Sequence, residues 1–295
     1  MRKWSDFIKE GHISADFAKE RPIIAIYGNF QIGKSTFLNC LLGHYLALAG
    51  KGRSTTALTT RYRYNSEMKL KYRSKQGELY PVTLEEIRES SFVEKVNIES
   101  GFHIESWADS SFLEICDIVD TPGYNANDTD TKRALSALPH VNYILYVMTN
   151  RGFSQMDKEL LIKLSERNIP ISILMNCNQG RREERWIPCH EINQEIMEQN
   201  VSWLQSAGIS LFPICDKLIY PCNFLFYWSQ MPEFELSKKD IDRPDTVIKH
   251  IKGLLEEEGY KTDADTIKEL SSIPMLMEAL KERITNYNPI THEWR

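Results

Sequence analysis

No apolar run in this 295-residue sequence approaches the roughly 20 residues that a bilayer-spanning helix requires, so peripheral or partner-mediated attachment is the only membrane route left to it. No N-terminal apolar segment precedes a small-residue cleavage site. The six cysteines (Cys40, Cys116, Cys177, Cys189, Cys215 and Cys222) are scattered without a C-x-x-C pair, so disulfide and metal-cluster readings have little support and a reducing, cytoplasmic compartment is expected. A basic excess is missing as well: the formal net charge is −5, which argues against a nucleic acid as main partner. There are no internal repeats and no low-complexity tract. What remains is the composition of an ordinary globular protein, with 42% hydrophobic and 26% charged residues. The length suits one large α/β domain, or such a domain with a small helical annex.

The chain is organised around Gly28-Asn-Phe-Gln-Ile-Gly-Lys-Ser-Thr36, which matches G-x-x-x-x-G-K-[ST]. A β-branched run, Pro22-Ile-Ile-Ala-Ile-Tyr27, leads in, and a helix-like run, Phe37-Leu-Asn-Cys-Leu-Leu42, leads out, as a P-loop requires. Gly28 and Gly33 allow the tight bend that turns the N–H groups of Asn29, Phe30, Gln31 and Ile32 toward a polyphosphate, and the following helix adds its N-terminal partial charge. Lys34 is expected to reach the β/γ-phosphates, and the Ser35 hydroxyl to ligate Mg²⁺, with Thr36 one step further along the helix.

Gly50-Lys-Gly-Arg-Ser-Thr-Thr-Ala-Leu-Thr-Thr60 reads as a loop rich in hydroxyls. In P-loop GTPases such a loop supplies a threonine that completes the Mg²⁺ shell in the triphosphate state; Thr56 is the candidate and Thr55 the reserve. Further on, Phe112-Leu-Glu-Ile-Cys-Asp-Ile-Val-Asp120 reads as an apolar strand ending in Asp120-Thr-Pro-Gly123. A carboxylate there is placed to hold Mg²⁺ through water, and the Gly123 N–H can bend toward the γ-phosphate.

The rest continues a β-α-β alternation that predicts a doubly wound, mostly parallel sheet of about six strands with helices on both faces. Strand patterns cover 143–148, 171–175 and 211–214, and helix patterns cover 156–167, 189–206, 246–258 and 273–284. Residues 62–73 look like a hairpin turning near Asn65-Ser66-Glu67, residues 84–96 like a short acidic helix, and 97–110 are ambiguous. The arm 1–21 has the spacing of an amphipathic helix packed on the domain, with membrane insertion as the sharper alternative. After the strand at 171–175 a guanine-reading site would show Asn/Thr-Lys-x-Asp, but the chain reads Asn176-Cys177-Asn178-Gln179. Asn176 fits, but Cys177 cannot supply the long lysine stem, and neither Asn178 nor Gln179 offers a charged bidentate acceptor for the base. The aromatic segment containing Cys215 and Asp216 reads as the base-side loop and its supporting core, or as an exposed partner patch.

These motifs together resemble the GTPase domain of bacterial dynamin-like proteins, with Asn29-Phe30 and the Thr-Ala of the loop as the more family-specific touches. The resemblance implies a P-loop GTPase domain over 22–286 with a C-terminal tail at 287–295, hydrolysis of GTP with Mg²⁺, and pairing of two domains through the nucleotide face. It puts Lys34, Gln31, Thr56 and Gly123 in catalytic roles, with Gln31 where the family usually has a small serine. Because no heptad-bearing helices follow the last helix, a stalk is expected on another chain or outside this one, and the expected partners are a homodimer or a stalk-bearing dynamin-like protein, with membrane contact indirect or peripheral. Arg181, Arg182 and Arg185 would meet Asp128 and Asp130 across such a pairing. A nucleotide-gated module that hardly hydrolyses, and a P-loop ATPase, are the alternatives.

Overall fold

The computed structural model describes residues 21–47, 58–87, 90–96, 101–124, 128–177, 194–231, 244–288 and 294. The expected N-terminal helix, Thr55, Thr56, Asn178, Gln179, Arg181, Arg182 and Arg185, and the side chains of Asp128 and Asp130, fall outside the described residues.

Among the described residues nine strands form one sheet: β1 (Ile23–Tyr27), β2 (Thr60–Tyr64), β3 (Lys69–Arg73), β4 (Leu79–Pro81), β5 (Ile104–Ala108), β6 (Asp117–Asp120), β7 (Tyr143–Thr149), β8 (Ile171–Asn176) and β9 (Ile219–Cys222), in the order β4-β3-β5-β2-β6-β1-β7-β8-β9. From β6 through β1, β7, β8 to β9 every pairing is parallel, which is the doubly wound half. Beyond β6 the sheet is extended by an antiparallel step to β2 and by β5, β3 and β4, so it is mixed and larger than the expected six strands.

The described helices are α1 (Lys34–Leu42), α2 (Leu84–Ile87), α3 (Asp128–Ser136), α4 (Gln155–Ser165), α5 (Gln194–Ser206), α6 (Phe224–Trp228), α7 (Pro244–Glu257), α8 (Ala264–Leu270) and α9 (Ile273–Thr285). Strand alternation divides the core between the two faces. Ile24, Ile26, Leu145 and Val147 pack with Phe37 and Leu38 of α1, Phe224 and Trp228 of α6 and Leu276 and Leu280 of α9. Ala25, Tyr27, Ile144 and Tyr146 pack on the other side with Leu160, Leu161 and Leu164 of α4 and Leu204 of α5. Because successive strand residues point to opposite faces, a strand covered on both sides must be apolar throughout, and β7 is buried from Tyr143 to Met148.

Several local expectations are corrected. Residues 62–73 contain two strands that do not pair with each other: β5, from the ambiguous stretch, lies between β2 and β3, pairing with both. The helix at 84–96 breaks into α2 and a 3₁₀ turn, Ser90–Lys95. The strand at 112–120 is confined to Asp117–Asp120, because residues 111–115 form a turn. Residues 211–214 are not a strand; the edge strand is β9, eight residues later. One buried polar device escaped the periodicity altogether: Asn39 in α1 accepts from the N–H groups of Leu46 and Ala47 and donates to the Ala47 carbonyl, fixing the chain as it leaves α1.

Candidate nucleotide site

The parallel strands β1, β6, β7, β8 and β9 all end on one side of the sheet, and the P-loop leaves β1 there. Gly33 caps α1 in the left-handed region (φ 96°), and a Cβ on it would lie 2.7 Å from Nδ2 of Asn176 and 3.2 Å from the Phe224 ring. Gly28 is equally confined, since a Cβ there would lie 2.3 Å from the Val147 carbonyl oxygen. The loop is thus wedged between the ends of β7 and β8 and the start of α6. Gln31 adopts φ 60° with its side chain exposed at the crest. Ile32 turns into the core.

Lys34 is 7% exposed, and its Nζ donates to the carbonyls of Gly28 at 3.1 Å and Asn29 at 2.7 Å, so the ammonium lies under the loop. Burial lowers its pKa to about 8, while the carboxylates of Asp120 and Asp157 act in the opposite direction. A cation held at such a desolvation cost favours an anion that completes its coordination.

Asp120 pairs in register with Ile26 of β1 and Thr60 of β2, and is 1% exposed. Its Oδ2 accepts a 3.1 Å hydrogen bond from the Ser35 hydroxyl. Thr121 anchors the turn by donating to the Ile26 carbonyl at 2.7 Å. A Cβ on Gly123 would stand 2.7 Å from Cα of Phe30, so the Asp120-Thr-Pro-Gly123 turn lies flush on the P-loop. Asn29 and Tyr124 form a parallel bridge just beyond this contact. The Ser35 hydroxyl and the Asp120 carboxylate are hard oxygen donors in contact, a donor set that fits Mg²⁺.

The structure brings Gly28 to Thr36, Asp120, Gly123 and Asn176 to one end of the sheet, but separates Cys215 and Asp216 from them. Those two residues, with φ 47° and 60°, are the central pair of a two-residue turn closed by the reciprocal bonds of Ile214 and Lys217. The turn precedes β9, and the neighbouring Phe212 N–H bonds to the Ile171 carbonyl at the start of β8, so it lies at the opposite end of the sheet. The loop that leaves β9 on the site side is Asn223-Phe224: Asn223 caps α6, and Phe224 stacks on Phe37 at 4.8 Å beneath Gly33. Asn176 is also differently employed from a base reader, because its Nδ2 donates to the Ile32 carbonyl at 3.0 Å.

A second layer was missed by the sequence reading. Asn29 Nδ2 donates to Ser154 Oγ at 3.1 Å; Ser154 and Asp157 form a capping box on α4; and Asp157 also accepts from Tyr146 Oη at 2.6 Å. Lys163, further along α4, donates to Tyr124 Oη at 2.8 Å. Helix α4 therefore grips both the P-loop and the residue after Gly123. The S-x-x-D spacing at 154–157, ahead of an apolar run, is a helix-start signal that could have located the cap.

A sheet with parallel strands ending at a glycine loop and helix N-terminus, with a buried lysine and a Ser–Asp pair, defines a P-loop nucleoside-triphosphatase fold. The sequence profile of the Dynamin family matches residues 24–177, and the chain belongs to that family. It is 28% identical over 141 residues to Dynamin-like protein 2 of Campylobacter jejuni, a match covering 48% of this chain and 23% of that protein. The matched segment thus spans under a quarter of that relative's length. Among solved structures, a chain of an oligomerised bacterial dynamin pair aligns with a TM-score of 0.45 and 16% identity, covering 92% of this chain and 39% of the other. Era from Aquifex aeolicus, bound to GDP·AlF4⁻, aligns with a TM-score of 0.39 and 15% identity over 70% of this chain and 52% of its own. No helix among the described residues is long and apolar enough to cross a membrane.

Proposed function

We propose that this domain binds GTP with Mg²⁺ and hydrolyses it to GDP and phosphate, and that pairing of two nucleotide faces stimulates turnover. The observation that carries this reading is the contact of Ser35 with Asp120 beside the buried Lys34, in a chain of the Dynamin family. The P-loop N–H groups from Asn29 to Ser35 and the Lys34 ammonium bind and orient the phosphates. Ser35 and Asp120 would hold Mg²⁺, whose chemistry there is neutralisation of phosphate charge. Gln31, exposed on the crest of the loop, stands where it can face solvent entering the site, and the Gly123 N–H lies next to the loop to report on the terminal phosphate. Thr56 is assigned to the closing loop.

Base selection is the point at which a second reading gains support. With one Nδ2 hydrogen of Asn176 engaged by Ile32 and the 215–216 turn at the far end of the sheet, the Asn176 amide meets the base as a neutral group without a carboxylate's charge, and GTP is preferred over ATP by a reduced margin. A missing charged bidentate acceptor of this kind is worth roughly 1.5 to 3 kcal/mol. Turnover with GTP and ATP over a hundredfold range of protein concentration, about the span in which weak interfaces saturate, tests both points. GTP turnover per molecule should rise with concentration, and a transition-state mimic should convert monomer to dimer in light scattering. ATP preference would overturn the base assignment. Turnover that is flat in a strictly monomeric protein would overturn the pairing.

A further inference from the structure

Away from the nucleotide site, one sheet face is strongly basic in a chain whose net charge is −5. The registers Arg61↔Glu105, Arg63↔Trp107, Lys69↔Trp107 and Lys71↔Glu105 put these side chains on the same face of β2, β5 and β3, with Arg73 one step along β3. On β2, β5 and β3 no residue of this face belongs to a described hydrophobic cluster; the cluster on the same side of the sheet stops at Val119, which pairs with Arg61, and at Phe102, whose ring lies 5.0 Å from the Arg61 guanidinium. Two buried carboxylates set the arginines in place. Asp117 accepts from Arg61 at 2.5 Å, with Arg63 at 3.5 Å, and Glu105 accepts from Arg73 at 2.6 Å and Arg63 at 3.3 Å. Arg63 and Lys71 each lie 5.9 Å from the Trp107 ring. Five cations against three carboxylates, Asp117, Glu105 and the exposed Glu67 at 2.8 Å from Lys69 Nζ, leave the face positive, and Arg63 and Lys69 keep 40% and 48% of their side chains exposed.

The complementary charge is on the same chain. Helix α7 ends in Glu256-Glu257, followed by Glu258, and α8 starts with Asp263 as its cap and Asp265 in its first turn; all five are exposed, and Lys261 is the one cation between them. This turn packs with α6, which follows β9, through Phe226, Leu255 and Ile267. Strands β2 to β3 lie five to seven positions from β9 in the sheet order, roughly 24 to 34 Å at about 4.8 Å per strand, so the two surfaces stand far apart within one molecule.

We propose that the basic face of β2, β5 and β3 receives the acidic α7–α8 turn of a second copy of this chain, a head-to-tail contact separate from the nucleotide face. The two surfaces are different, so the contact is heterologous and can extend beyond a pair. It is built from exposed charges, so it weakens with salt and needs no nucleotide.

Sedimentation velocity of nucleotide-free protein tests it, at about 50 mM and about 500 mM sodium chloride. The weight-average mass should reach about twice the monomer's or more in low salt and return to the monomer's in high salt. Lys69→Gln/Lys71→Gln leaves the partners of both buried carboxylates in place, and Glu256→Gln/Glu257→Gln alters only exposed groups. Each variant alone should be monomeric with unchanged nucleotide affinity, whereas their mixture should form a dimer that grows no further, because each component has lost one of the two surfaces. A wild-type protein that stays monomeric in low salt overturns the proposal. So does a mixture that fails to pair, or a monomeric chain captured through Lys69 and Lys71 by vesicles of about one-third anionic phospholipid, which would assign the face to a membrane.

Discussion

The Asn176 side chain at the end of β8 donates to the carbonyl of Ile32 in the P-loop at 3.0 Å, across 144 residues of sequence. The same Nδ2 is the atom that a Cβ on Gly33 would strike. Asn176 therefore shapes the phosphate loop from below and is a positioning residue for it.

Asn176→Ala should weaken GTP and ATP binding by similar factors. It leaves the Ile32 carbonyl without that donor, at a cost of about 1–3 kcal/mol. Calorimetry with both nucleotides checks this; a loss confined to GTP would return Asn176 to base reading.

Lys34→Ala should abolish triphosphate binding without lowering the thermal midpoint of the nucleotide-free protein. Burial lowers the pKa of this amine to about 8, so in the nucleotide-free fold the cost of holding the charged form offsets its hydrogen bonds to the Gly28 and Asn29 carbonyls. Retained affinity would remove the P-loop assignment, and a large drop in midpoint would give Lys34 a structural role.

Ser35→Ala should lose the Mg²⁺-dependent part of nucleotide affinity, while Thr56→Ala should bind normally and lose mainly turnover. The first hydroxyl contacts Asp120, whereas the second is proposed to join only in the triphosphate state. Binding titrations with and without Mg²⁺, beside steady-state phosphate release, separate the two; unchanged release in Thr56→Ala would move the role to Thr55.

Gly123→Ala should destabilise the fold and disturb the P-loop together. The added Cβ meets backbone, Cα of Phe30 at 2.7 Å, so the strain cannot be relieved by a side-chain rotation. Overpacking of this kind costs about 1–3 kcal/mol, and urea unfolding together with nucleotide affinity should report both effects. A variant of wild-type stability would mean that the turn moves freely off the loop.

Ser154→Ala should reduce stability by about 1 kcal/mol through loss of the α4 cap, and should also lower nucleotide affinity, because Ser154 holds Asn29. A stability loss with unaltered affinity would confine Ser154 to capping.

The sequence by itself determined the features whose physics is local. A β-branched run, two glycines, Lys34 and the start of α1 are contiguous, so β1, the P-loop and the helix were legible residue by residue. Asp120 at the end of a buried strand and the β-α-β alternation through β7, α4 and β8 were equally readable, since burial on both faces forces apolar runs. Tertiary structure alone decided which strands are neighbours. The hairpin signal between β2 and β3 is outweighed because β5 offers hydrogen bonds to both and places Glu105 against Arg63 of β2 and Arg73 of β3. It also decided which end of β9 carries the site-facing loop, separating Cys215 and Asp216 from the P-loop and placing Phe224 beneath Gly33. Strand order and the far partner of a single amide or carboxylate depend on residues dozens to hundreds of positions away, and no local periodicity encodes them.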